Sequence, residues 1–217
     1  MRLLRLPGVL DPPSDTWLLA GQVLAETVPD GGSILDLCTG TGVLAVLAAR
    51  EHRAAVVAVD ISRRAILSTR INARLNGVTV TAVRGDLFAP LDGRRFDLIV
   101  SNPPYLPSPA GSPGSHSSAR AWDAGRSGRE YLDRICREAP AHLRPRGSLL
   151  LVHSSVCGER PTLIALEAAG LRATVLRRER GPLGPLLGAR VEWLRDRGLV
   201  GDDASEELLV IRGTRGE

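Results

Sequence analysis

The sequence predicts an α/β fold: a doubly wound, mostly parallel, seven-stranded sheet with helices on both faces. Short β-branched or Leu-rich runs alternate with longer segments of helical character from about residue 33 to the end. The runs are closed by Gly, Asn or Pro, the residues that stop strands and helices. A length of 217 residues, 43% hydrophobic and 24% charged, is that of a globular chain with a substantial core. Strand–helix–strand alternation requires crossovers, which are right-handed and lay helices over both faces of a parallel sheet.

Taken in order, residues 33–37 form a short apolar run suited to a buried strand, and 43–51 an Ala/Leu-rich helix. A second strand covers 54–60, and Ser62 N-caps a helix that Asn76-Gly77 ends. Residues 78–83 alternate as a strand does. The apolar run 96–101 is the fourth strand; Asn102-Pro103-Pro104 ends it, because proline cannot continue the ladder. The Gly/Ser/Pro-rich stretch 108–118 reads as a lid, since it follows that strand's carboxyl end. A helix over 127–142, a strand over 147–153, a helix over 160–169 and strands over 171–175 and 208–211 complete the set. All of 1–217 is expected to be one domain. Residues 181–206 form an insertion between the last two strands, with a helix over 189–197 whose apolar face carries Trp193 and Leu194.

The formal charge of +4 comes from 28 Lys and Arg against 24 acids, with arginines in every segment. That spread describes a solvated surface better than a nucleic-acid groove, though it does not exclude nucleic acid. Cys38, Cys136 and Cys157 lack metal-ligand spacing, so no metal site is expected, and their odd number suits a reducing compartment. No apolar run approaches the roughly 20 residues of a membrane span. The first ten residues are interrupted by Pro7 and Gly8, unlike a secretory signal, so the expected location is the cytoplasm.

Ligands of doubly wound sheets bind beyond the carboxyl ends of the strands, where the informative residues fall. Asp36-Leu37-Cys38-Thr39-Gly40-Thr41-Gly42 joins the first strand to the first helix. Gly40 and Gly42 permit a tight turn and close approach of a ligand. Asp36 would repel a phosphate but welcome an amino group. Asp60 ends the second strand, where an acid can accept from both hydroxyls of a ribose. Asp86 follows the third strand, placed to accept from an adenine amino group with Leu87 packed on the ring. Three acids after three successive strands fit a nucleoside bearing an amino acid, as in S-adenosylmethionine.

Ser101-Asn102-Pro103-Pro104-Tyr105 closes the fourth strand. Two prolines stiffen the turn, so that the Asn102 side chain and the Pro103 carbonyl offer two acceptors to one –NH2 group. Tyr105 gives a flat face for a planar amide, amine or base. An amide nitrogen is a poor nucleophile; two fixed acceptors orient it and favour the charge that develops on it during transfer. Asn102, Pro103, Pro104 and Tyr105 are therefore the candidate catalytic residues.

Together these elements resemble class I S-adenosylmethionine-dependent methyltransferases with a Rossmann-like fold. The Asn-Pro-Pro-Tyr turn resembles the HemK/PrmC branch, which methylates the glutamine side-chain nitrogen of release factors. Residues 13–19 (Pro-Ser-Asp-Thr-Trp-Leu-Leu) and 121–130 carry further features of its short form, which lacks an N-terminal helical substrate domain. The resemblance covers about residues 12–180. It implies that Thr16, Asp36, Cys38, Gly40, Asp60, Asp86, Leu87 and Asn102 lie around S-adenosylmethionine, with Asn102 also touching the substrate. It further implies a protein substrate with an exposed glutamine loop and, in the short form, a small zinc-binding activator subunit. Cys38 departs from the pattern, standing where the family usually has the first glycine of the loop. Two rivals share these motifs: an amino-methyltransferase for a nucleic-acid base or small molecule, and a cofactor-binding partner protein, which would need neither Asn102 nor Tyr105.

Overall fold

The computed structural model describes residues 1–110 and 121–217. Most of the anticipated lid, and His116 within it, lie outside the described residues. Along the chain run α1 (Ser14–Ala25), β1 (Ser33–Leu37), α2 (Val43–Glu51), β2 (Ala55–Asp60), α3 (Arg63–Leu75), β3 (Val80–Arg84) and β4 (Phe96–Ser101). There follow α4 (Glu130–His142), β5 (Leu143–Ser154), α5 (Glu159–Ala168), β6 (Leu171–Pro182), α6 (Pro185–Gly188), α7 (Val191–Asp196) and β7 (Ser205–Arg215).

The seven strands form one sheet in the order β3-β2-β1-β4-β5-β7-β6. Pairing is parallel from β3 to β5, while β7 runs antiparallel to both β5 and β6. The order reverses between β1 and β4, so the loops leaving these two strands part from each other and open a crevice. Successive strand residues alternate between two cores. Leu35, Val57, Ile99 and Leu149 face a layer containing Leu132 and Ile135 of α4, whereas Ile34, Val56, Leu98 and Leu150 face Leu19 and Val23 of α1 and Leu44 of α2.

Three expectations change. Helix α1 has no counterpart in the sequence reading, because its apolar residues occupy more than one face: Leu19 and Val23 are buried, yet Trp17 is 47% exposed. Helix α4 starts at Glu130 rather than 127, since Gly128 has a φ of +73°, outside the helical region. The last strands are longer than 171–175 and 208–211, so the chain between them runs over residues 183–204; the helix expected over 189–197 is present as α7, and α6 before it has no counterpart among the expected elements. Val156, Leu187 and Leu194 form a third small core beneath it, with Leu106 and Trp193 packed alongside.

No helix of the described residues is long and apolar enough to cross a membrane.

Candidate active site

A cleft of about 1110 Å³ lies over the carboxyl ends of the strands. Its floor is formed by the loops after β1, β2, β3 and β4. The segment before α1 closes one side, and the end of β6 with α6 closes the other.

The loop after β1 is held by carboxylates. Gly40 and Gly42 have φ of +55° and +82°, and a Cβ on Gly42 would lie 2.7 Å from Thr69, so α2 and α3 meet only because it is absent. Asp36 Oδ2 accepts from the Thr39 hydroxyl (2.5 Å) and from the Ala45 backbone N–H in the first turn of α2 (3.1 Å). At 1% exposure, Asp36 sits beneath the loop instead of on the cleft wall, the one anticipated site residue placed so. Burial pushes its pKa up to about 7 despite those two bonds, and neighbouring Asp60 adds to the rise. Its Oδ1 has no partner among the described residues.

Asp60 does line the cleft. Its two oxygens accept from the Gly40 N–H (3.0 Å) and the Ser62 N–H (2.8 Å), tying the first loop to the second strand. Cys38 and Leu87 line the same end, both with left-handed backbones at φ of +58° and +46°. Asp86 also faces the cleft, half exposed, and is gripped by the Arg134 guanidinium through bonds of 2.9 and 3.2 Å.

The turn after β4 occupies the middle of the cleft. Ser101 Oγ donates to the Leu37 carbonyl (3.0 Å), fastening the end of β4 to the end of β1. Asn102 Nδ2 then donates to Thr16 Oγ1 at 2.8 Å, which joins the turn to the start of α1. Buried Asp15 accepts from the Thr16 N–H through Oδ1 (2.6 Å) and from the Tyr105 hydroxyl through Oδ2. Burial, then the Asp15 charge, pushes the Tyr105 phenol well above its ordinary pKa. The Tyr105 carbonyl accepts the Cys157 thiol at 2.8 Å, and a Cβ on Gly128 would lie 2.3 Å from the same oxygen. Pro103 and Pro104 line the cleft with Asn102, Tyr105 and Thr16, and Gly40 lines it too. Asp15 is a site residue that residues 13–19 do not single out by pattern; its signal, an acid directly before Thr16, is short.

Beyond Tyr105, Arg190 donates to Asp123 Oδ1 (2.6 Å) and to the Pro107 carbonyl (2.7 Å), clamping the 183–204 excursion on the chain leaving the turn. Glu206 Oε1 accepts the Gly184 N–H at 2.8 Å. The histidines stand apart. His153 is fully buried, bonded through Nδ1 to the Ser154 carbonyl and drawn down to about 4 by burial, which keeps it neutral. His52 meets the Val23 carbonyl, and His142 meets the Arg94 carbonyl while stacking on Phe88.

Comparison with known proteins agrees with this geometry. Residues 8–112 match the family profile described as Methyltransferase small domain. A Methanocaldococcus jannaschii chain named for protein N5-glutamine methylation is 32% identical over 83% of this chain and 90% of its own length. The release factor glutamine methyltransferase of Geobacter sulfurreducens is 38% identical over 67% of this chain; the match spans 53% of that enzyme, about half its length. A chain of the E. cuniculi Mtq2–Trm112 complex, which methylates the termination factor eRF1, superposes with a TM-score of 0.67 at 23% identity, covering 96% of this chain and 99% of that one. A seven-stranded α/β sheet, an acid-held glycine loop and an Asn-Pro-Pro-Tyr turn in one cleft, joined to these identities, make the chain a member of the HemK/PrmC family of protein N5-glutamine methyltransferases.

Proposed function

We propose that this chain uses S-adenosylmethionine to methylate the side-chain nitrogen of a glutamine on an exposed loop of a protein of the release-factor class. The observation that carries the reading is the Asn102 amide: it lines the cleft, and one of its hydrogens is committed to Thr16. Its Oδ1 is thereby left to accept from a substrate –NH2, with the Pro103 carbonyl as second acceptor and the Tyr105 ring as the surface for a planar amide. The donor set fits the cofactor. Asp60 and Asp86 are acceptors for ribose hydroxyls and an adenine amine, Leu87 is an apolar face for the ring, and the residue 38–41 loop with Thr16 flanks the amino-acid end. Asp36 acts from below, shaping that loop, and its unpartnered oxygen favours a cationic group above it. When bound, S-adenosylmethionine supplies an electrophilic methyl group.

The chain's own contribution is orientation and charge. Two oxygens hold the amide nitrogen in one direction and stabilise the positive charge it gains, so no ionisable base is required before transfer. The chain's expected partner is a small zinc-binding activator subunit, of the kind the short-form resemblance implies.

The test is transfer of labelled methyl to a purified release factor, followed by mapping of the modified residue. One methyl on the loop glutamine is expected, whereas label in DNA or RNA would identify an amino-methyltransferase of bases instead. Asn102→Ala should lower turnover by about a thousandfold, the scale of losing a fixed polar contact to the transition state, while cofactor binding measured by calorimetry persists. Parallel loss of both would reassign Asn102 to the cofactor.

A further inference from the structure

A side-chain amide that must offer oxygen, and not –NH2, to its substrate needs something to hold it the right way round. Asn102 can turn its amide over at little cost in shape, since oxygen and nitrogen ends are nearly isosteric. Thr16 alone does not decide the matter, because a hydroxyl both donates and accepts. The decision comes one residue earlier.

Asp15 acts there as an acceptor. It is 5% exposed, and among the described residues every hydrogen bond it makes is one it accepts: from the Thr16 N–H at 2.6 Å, from the Tyr105 hydroxyl, and from the Thr16 hydroxyl at 3.5 Å. The single proton of Thr16 Oγ1 is therefore directed at Asp15. Toward Asn102 the hydroxyl then has only lone pairs, so the end of the amide facing it must be –NH2, at 2.8 Å. The Asn102 oxygen is what remains for the cleft. The same side chain fixes the Tyr105 phenol through its other oxygen, so one buried acceptor sets both the amide direction and the stacking face.

We propose that Asp15 is a positioning residue that, through the Thr16 hydroxyl, sets the direction of the Asn102 amide. The inference rests on the amide-methylation reading for its use, but its geometry can be tested without turnover. The experiment compares the full-length protein with Asp15→Asn, Asn102→Asp and the double variant, by unfolding midpoint in denaturant and by methyl transfer to a release factor.

With Asn102 in place, Asp15→Asn weakens the pull on the Thr16 proton and the hold on Tyr105. The midpoint should fall, and kcat should drop by about a hundredfold. With aspartate at position 102, two carboxylates compete for one Thr16 proton, so that variant should be worse than wild type. Adding Asp15→Asn then frees the proton for position 102, and both midpoint and kcat should recover. One substitution thus harms one background and helps the other. Repeating the cycle with Thr16→Val separates a relay from direct repulsion between charges, since the coupling should vanish when the hydroxyl is gone.

An Asp15→Asn effect of equal size and sign in both backgrounds would overturn the proposal, and so would coupling that survives Thr16→Val. Coupling in the midpoints with no glutamine methylation by any of the proteins, wild type included, would support the relay and overturn the glutamine reading.

Discussion

Over β1 and β2 the cleft is held by side-chain carboxylates gripping backbone N–H groups: Asp36 on Ala45, Asp60 on Gly40 and Ser62. Over β5 to β7 it is held by contacts between distant segments, Arg190 on Asp123 and Pro107, and Glu206 on Gly184. The first arrangement is local. Asp60 and Ser62 are two residues apart, and the bonds run within one loop or between the loops of the adjacent strands β1 and β2. The second depends on an excursion folding back across the sheet. On the proposed function the first is the cofactor end, held loop to neighbouring loop, whereas the far end is a wall that depends on contacts reaching across the sheet.

The largest expected effect tests how the far end meets the Asn-Pro-Pro-Tyr turn. Gly128 has a φ of +73°, and its missing Cβ leaves room for the Tyr105 carbonyl, which would otherwise lie 2.3 Å away. Gly128→Ala should cost about 3 kcal/mol, through strain and displacement of backbone that cannot yield as a side chain would. Turnover should collapse with it, because Tyr105 moves. Equilibrium denaturation and a cofactor titration would separate the two ends: cofactor affinity should hold in whatever fraction stays folded. A loss of affinity matching the loss of turnover would mean the ends are not independent.

Arg190→Ala is the next largest. Its partner Asp123 is 5% exposed, so removing the arginine leaves a buried carboxylate uncompensated. Loss of a fully buried pair costs about 3–5 kcal/mol, and partial exposure of Arg190 reduces the expectation to about 2 kcal/mol. Loosening the excursion should raise the KM for the protein acceptor by about tenfold while leaving cofactor affinity alone, since the lost contact is to the acceptor side. Steady-state kinetics with each substrate varied in turn would check this.

The contrast between the ends also explains what the amino-acid sequence discloses. An acid at a strand end, two glycines and a helix start are neighbours along the chain, so their joint meaning can be read there. The Asn102-Pro103-Pro104-Tyr105 turn is legible for the same reason. Asp15 is not: its carboxylate meets the Tyr105 hydroxyl across 90 positions, and nothing in residues 13–19 announces that pairing. Arg190 and Asp123 are 67 apart and equally silent. Helix α1 escaped because packing overrides a weak apolar stripe, with Trp17 and Leu24 left outside. The lengths of β6 and β7 escaped because the exposed, charged residues 177–180 gain their strand character from the partner strand, not from alternation.

Protonation gives a smaller effect that compares the ends through two buried groups. Burial pushes Asp36 up to about 7, so between about pH 4 and 7 the folded chain keeps a proton that the unfolded chain has released. Its contribution to stability therefore falls as pH rises through that window. His153, drawn down to about 4, is neutral when folded and charged when unfolded between about pH 4 and 6.5. That contribution is complete above the unfolded pKa and is lost as pH falls. The two slopes oppose each other, each at most about 1.4 kcal/mol per pH unit, and should nearly cancel in the wild type. Asp36→Asn should expose the His153 slope, with stability rising from pH 4 to 6.5. His153→Asn should expose the Asp36 slope, with stability falling over pH 4 to 7. Unfolding midpoints over this range would read both, and equal slopes in all three proteins would sink the argument.

The smallest effect concerns Cys38, at the centre of the cofactor end. Its φ of +58° is a conformation that disfavours any side chain, and glycine would adopt it freely. Against that relief of about 1 kcal/mol stands the packing of the Cys38 side chain against the buried core on the α4 side of the sheet, which Cys38→Gly would lose. Glycine also adds freedom to the unfolded chain, a further cost of about 0.5 kcal/mol. The terms nearly offset, so the unfolding midpoint should shift by less than about 0.5 kcal/mol in either direction. Cofactor affinity should respond more clearly, rising about twofold as the backbone of the loop gains room beside the ligand. Calorimetric titration of the two proteins would decide it: unchanged or weaker binding would mean that the thiol fills space the ligand uses, and that this loop has adapted around cysteine instead of tolerating it.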